Sequence, residues 1–146
     1  MEPRLQAKLE LVVEVLRRGN AQTIVAHGGS MTAAIRNGAT ITLAPVHALA
    51  PHGRVRVVRP PELGDVVAVA TPRVGLVVHR VVGVDSGGRM LVKGDACPSP
   101  DGWFSIDDIA AVVVDVDGHA VPPPTRPPPR WRRGVRRLLR LVLPLG

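Results

Sequence analysis

Apolar residues along this chain change their period once. Over residues 4–18 (RLQAKLELVVEVLRR), Leu5, Leu9, Val12, Val13 and Leu16 recur at helical spacing, and Gly19-Asn20 supplies a stop. This pattern predicts an N-terminal amphipathic helix within residues 1–20, packed on the rest of the domain. From Gln22 onward the apolar residues form short runs, at 22–27, 40–44, 55–58, 66–70, 76–84, 89–93 and 109–116, separated by Gly, Pro or Asp. Valine is frequent in them (Val66-Val67, Val77-Val78, Val81-Val82, Val112-Val113-Val114), and β-branched side chains pack well on a pleated surface. A mainly β domain of coiled or barrel-like form is expected over 21–121. The turn signals Asn37-Gly38, Asp85-Ser86-Gly87-Gly88 and Asp117-Gly118 agree with that reading. Residues 122–130 (PPPTRPPPR) read as a stiff polyproline-type linker that cannot join a sheet. The tail, 131–146, begins with a stretch (WRRGVRRLLRLVL) that sets Trp131, Val135, Leu138 and Val142 on one helical face, opposite five arginines.

Charge changes this picture only at its end. The net charge of +7 over 146 residues lies entirely in residues 122–146, which hold seven arginines and no acid; residues 1–121 carry equal numbers of basic and acidic side chains. The domain itself is neutral, so the high isoelectric point describes the tail. One cysteine, Cys97, excludes an intrachain disulfide and fits a reducing compartment. No apolar stretch reaches the roughly 18 residues a spanning helix needs, and Glu2, Glu10 and Glu14 interrupt the start where a secretory signal would be apolar. The expected location is cytoplasmic or peripheral to a membrane. A core built almost without aromatic residues must be aliphatic.

Three segments carry candidate chemistry. In His27-Gly28-Gly29-Ser30-Met31 a serine follows two glycines, where backbone can approach a substrate and a free N–H can help hold an oxyanion; the plainer reading is an ordinary Gly-Gly-Ser loop. In Val77-Val78-His79-Arg80-Val81-Val82 a strand would set Val77, His79 and Val81 on one face and Val78, Arg80 and Val82 on the other. That histidine is either a hydrogen-bonded core residue or a desolvated base for a hydroxyl. In Val92-Lys93-Gly94-Asp95, with Pro100-Asp101 following, either aspartate could cap a turn or accept the far N–H of His79. Cys97 lies in a Pro-flanked loop without an oxyanion motif, and His27, three residues before Ser30, either lines the site or solvates its loop; His47, His52 and His119 lack metal-ligand spacing, so no metal and no cofactor is expected.

Order and spacing add what no single segment gives. Ser30-Met31 with Ile35 and Gly38, then Leu63-Gly64-Asp65-Val66-Val67, then Val78-His79-Arg80-Val81-Val82, then Lys93-Gly94-Asp95 and finally Ile109-Ala110-Ala111-Val112-Val113 form a series that resembles the signal-peptidase (S24/S26) serine peptidases over about 28–116. It is similar to their archaeal and endoplasmic-reticulum branch, which has His where the common bacterial branch has Lys. The resemblance implies a signal-peptidase-like coiled β-sheet domain that hydrolyses a peptide bond in a protein or precursor peptide. It implies Ser30 as nucleophile, His79 as base, Asp101 as the acid supporting that His, and Asp95 as a structural turn residue, with Gly29 and Met31 flanking the nucleophile. The Ser30 N–H would contribute to the oxyanion hole. Two positions depart from the family pattern: Ala33 stands where Pro is usual, and Ala39 where Asp is usual. They favour the alternative, a non-catalytic module that keeps the fold and binds an extended peptide. The membrane anchor of true signal peptidases is not among the segments found, which points to a soluble substrate. The self-cleaving repressors of the related branch need a Ser/Lys pair, and Lys8 and Lys93 do not stand at the base position.

The tail suggests a partner of its own. An apolar face opposite arginines is the pattern of an interfacial helix on anionic lipid. A nucleic-acid arm would not need Leu138, Leu139 or Val142, so nucleic acid is not the expected partner. Packing back on the domain is the competing account.

Overall fold

The computed structural model describes residues 3–72 and 74–124. The linker beyond Pro124 and the basic tail expected at 131–146 lie outside the described residues. One helix, α1 (Pro3–Arg17), is followed by nine strands: β1 (Gln22–Val25), β2 (Thr40–Pro45), β3 (His47–Leu49), β4 (Val55–Val57), β5 (Val66–Thr71), β6 (Gly75–Val84), β7 (Met90–Lys93), β8 (Gly102–Phe104) and β9 (Ile109–Val116). The chain is mainly β, as the valine-rich runs require. Two strands escaped the sequence pattern. β3 is three residues between prolines, and β8 is Gly-Trp-Phe; neither is long enough to show a period.

Seven strands form one curled antiparallel sheet in the order β1-β2-β9-β5-β6-β7-β8, and β3 and β4 form a separate ribbon. Both faces of the sheet are covered. On β5, Val66 and Ala68 enter one aliphatic cluster while Val67 and Val69 enter the other, the alternation that a strand buried on both sides demands. The first cluster takes Leu16 of α1 together with Met31, Ala34 and Ile35, so it anchors the loop that follows β1. The second takes Met90 and Val92 of β7 with Val112 of β9. Asp117-Gly118 turns the chain after β9 with φ of 50° and 83°, left-handed values that this pair tolerates.

The helix packs less than its periodicity promises. Only Leu16 is buried; Leu9, Val12 and Val13 are half-buried, and Leu5 and Leu11 face solvent. Its C-terminal half therefore does the packing and its first turns stand clear of the sheet.

Candidate active site

Sheet order sets the geometry of the site. β1 and β8 are the opposite edges of the seven-stranded sheet, yet Ser30 lies five residues past β1 and Asp101 immediately before β8. Curling brings the segments beside these two edges toward the interior strand β6, which carries His79. Ser30 Oγ lies 2.9 Å from His79 Nε2, and His79 Nδ1 contacts Asp101 Oδ2. His79 is 7% exposed. A carboxylate only accepts hydrogen bonds, so Nδ1–H donates to Asp101 and Nε2 turns its lone pair to the Ser30 hydroxyl. A hydroxyl, an imidazole and a carboxylate in this order can pass a proton from the hydroxyl to the ring, which is the chemistry acyl transfer requires.

Each member is held from behind. Loop 26–39 is closed at its neck by Ala26 N–H to the Ala39 carbonyl (2.9 Å) and Gly38 N–H to the Ala26 carbonyl (2.8 Å), and Gly28 N–H donates to Asn37 Oδ1 (3.0 Å). Met31 and Ile35, both buried, pin the residues after Ser30 into the core. Gly29 is tight as well: a Cβ there would meet Thr32 Oγ1 at 3.3 Å. His79 stands in the middle of a ten-residue strand, paired with Val67 on β5. Asp101 is tied to the end of β7 by its N–H to the Val92 carbonyl, 2.8 Å.

Asp95 does not touch the imidazole. Of the two aspartates left open by the spacing, the structure brings Asp101 to His79 and gives Asp95 to Arg80, whose Nε and Nη2 each lie 2.9 Å from a carboxylate oxygen. Successive strand residues point to opposite sides, which sends His79 and its neighbour Arg80 to different partners. Arg80 also donates to the carbonyls of Gly64 (2.9 Å) and Pro122 (3.0 Å). A buried bidentate pair of this kind holds its two elements in one geometry. What it holds is the Gly94–Ala96 turn, which grips the Ser30 loop: Ala96 N–H donates to the Ser30 carbonyl at 2.9 Å, and Asp95 N–H reaches Met31 Sδ at 3.3 Å. The buried Lys93 donates from Nζ to the Gly94 carbonyl, 2.9 Å.

Sequence reasoning missed three neighbours of the site. A Cβ on Gly94 would stand 2.6 Å from Cys97 Sγ, 2.9 Å from the Ser30 carbonyl oxygen and 3.0 Å from His79 Nε2. Gly94 is thus the gap that lets turn, Ser30 loop and imidazole close on one another, and Cys97 sits beside them. Arg80 is the third; its signal was a lone charge in a valine strand with an aspartate fifteen positions later. The groove of about 400 Å³ between α1 and the β5–β6 hairpin includes none of Ser30, His79 or Asp101. Among the described residues no cluster of three or more His, Cys, Asp and Glu is arranged to hold a metal ion, and no helix is long and apolar enough to cross a membrane. No family model, curated protein or solved structure matches this chain. The site is read from its own geometry.

Proposed function

We propose that this protein is a serine endopeptidase of the signal-peptidase (S24/S26) type, acting on a protein or precursor peptide. The observation that carries the reading is the 2.9 Å approach of Ser30 Oγ to His79 Nε2, with the other ring nitrogen on Asp101. Ser30 Oγ attacks the scissile carbonyl while Nε2 takes its proton, and the Ser30 N–H stabilises the oxyanion. The imidazolium, steadied by Asp101, gives that proton to the leaving amine, and the peptide bond breaks to an acyl-enzyme. Water, deprotonated by the same nitrogen, releases the acid and restores Ser30. A fluorophosphonate probe reports the nucleophile directly: the wild-type chain is expected to be labelled, and Ser30→Ala to lose labelling by roughly 10³-fold or more. Equal labelling of the two rejects the assignment.

Two observations favour a second reading, a peptide-binding module that keeps the fold without turnover. Ala33 has φ of 81°, which the proline usual at that place in the family, with φ fixed near −65°, cannot adopt. Ala39 is buried in the first cluster, where an aspartate would need a partner. The nucleophile loop therefore follows its own path. Absence of labelling in the wild type, with retained affinity for an extended peptide, selects this alternative.

A further inference from the structure

The β3–β4 ribbon takes no part in the proposed reaction, and its surface chemistry is unlike that of the rest of the domain. Among the described residues its backbone hydrogen bonds to the rest of the domain lie at its base. The Val46 carbonyl accepts the N–H groups of Val58 (2.8 Å) and Arg59 (3.2 Å), and Gly19 at the end of α1 fits against Ala48, where a Cβ would come within 2.9 Å. Beyond that neck every residue from Pro51 to Pro60 is exposed. Leu49 and Val55 face each other across the ribbon, 50% and 57% exposed, and Val57 lies two positions along the same face. Arg54 and Arg56 flank Val55; Arg59 follows, near Glu62 and Asp65. The chain has no Asp or Glu from residue 15 to residue 61, although residues 1–121 as a whole are balanced. The tip is thus aliphatic, and Arg54 and Arg56 have no acid within five residues of them in sequence.

We propose that this hairpin is a docking surface for an anionic lipid bilayer, with Leu49 and Val55 entering the interface and Arg54 and Arg56 at the headgroups. Aliphatic side chains gain by leaving water at the acyl boundary, and arginines are drawn to anionic headgroups; this ribbon offers both within one short turn. Nucleic acid would match the arginines and leave the exposed Leu49–Val55 pair without purpose. The ribbon is already closed, with Ala50 N–H donating to the Arg54 carbonyl at 2.7 Å, so docking orders little that is not ordered before contact. The surface is independent of the chemistry at Ser30.

The test sediments the full chain with vesicles of phosphatidylcholine alone or mixed with phosphatidylglycerol, at a lipid concentration that pulls down half of the wild type on the anionic mixture. The tail is present in every sample, so differences belong to the hairpin. Leu49→Asn with Val55→Asn, and separately Arg54→Gln with Arg56→Gln, are each expected to weaken partition about tenfold, with unchanged melting because all four side chains are exposed. Wild type is expected to partition less on the neutral vesicles. Unchanged partition for either pair overturns the proposal, as does equal recovery on the two lipids. Loss of binding to a nucleic-acid duplex by the arginine pair, with vesicle binding intact, overturns it in favour of that partner.

Discussion

His79 on β6 and His47 on β3 are buried to nearly the same degree, 7% and 5% exposed, yet their ring nitrogens are partnered differently. Both ring nitrogens of His79 have partners, a hydroxyl on one side and a carboxylate on the other. His47 Nε2 has no hydrogen-bond partner among the described residues. Burial pushes the His47 imidazole below its ordinary value; Asp107 opposes this and Arg17 adds to it. The difference separates two uses of one residue type. A histidine that only fills space on a strand is held neutral by desolvation, at some cost to the fold. A histidine whose tautomer is set by a carboxylate and whose free nitrogen meets a hydroxyl is arranged for proton transfer. Burial alone does not distinguish them; the partners do.

The comparison breaks most sharply if His79 is stripped of its orienting acid. In Asp101→Asn the amide can donate to Nδ1, which moves the ring proton to Nε2 and turns an N–H toward Ser30. The rate of fluorophosphonate labelling is expected to fall by roughly 10³- to 10⁴-fold with little change in melting temperature. A labelling rate within a few-fold of wild type would show that the contact with Asp101 has no role in proton transfer.

A smaller effect tests whether the close fit around His79 matters. In Gly94→Ala the new methyl must displace Cys97 Sγ, the Ser30 carbonyl or the His79 ring, none of which stands at the far end of a flexible side chain. Misplacement of the dyad by a fraction of an ångström to 1 Å is expected to slow labelling about 10²-fold. The reading fails if Gly94→Ala labels at the wild-type rate.

The smallest effect lies at His47 and concerns stability. Because the folded state lowers this histidine's pKa, the unfolded chain binds the proton more readily. Stability from this site is therefore complete above about pH 6.5 and declines as pH falls below it. His47→Phe removes the unpartnered nitrogen and keeps a planar ring, one atom larger. At pH 8 it is expected to change stability by no more than about 1 kcal/mol, in either direction. Below pH 6.5 the variant should lose less stability than wild type in urea titrations at matched pH. Parallel acid slopes for the two proteins would assign the loss to other groups.

Much of the fold could be read from the chain because the relevant forces are local. Seven of the nine strands among the described residues follow short apolar runs between turn residues, several of them rich in valine, and α1 follows a 3.6-residue period. The helix nevertheless packs by its C-terminal half alone, a matter of where the sheet stops, which periodicity does not encode. β3 and β8 are too short to carry a pattern, and pairing with β4 and β7 makes them strands.

For the site, sequence determined the chemical kinds and their order: a serine after two glycines, a histidine among valines, and two aspartates beyond a Lys-Gly step. Spacing along the chain left Asp95 and Asp101 equal as partners for the imidazole, and gave no sign that Gly94 is a gap or that Cys97 lies beside it. Those points were decided by the curl of the sheet, which brings the segments beside its two edge strands to β6, and by the alternation that sends His79 and Arg80 to different carboxylates. Hydrogen bonding and excluded volume act over a few ångströms between residues dozens of positions apart. Only the folded chain fixes which of them meet.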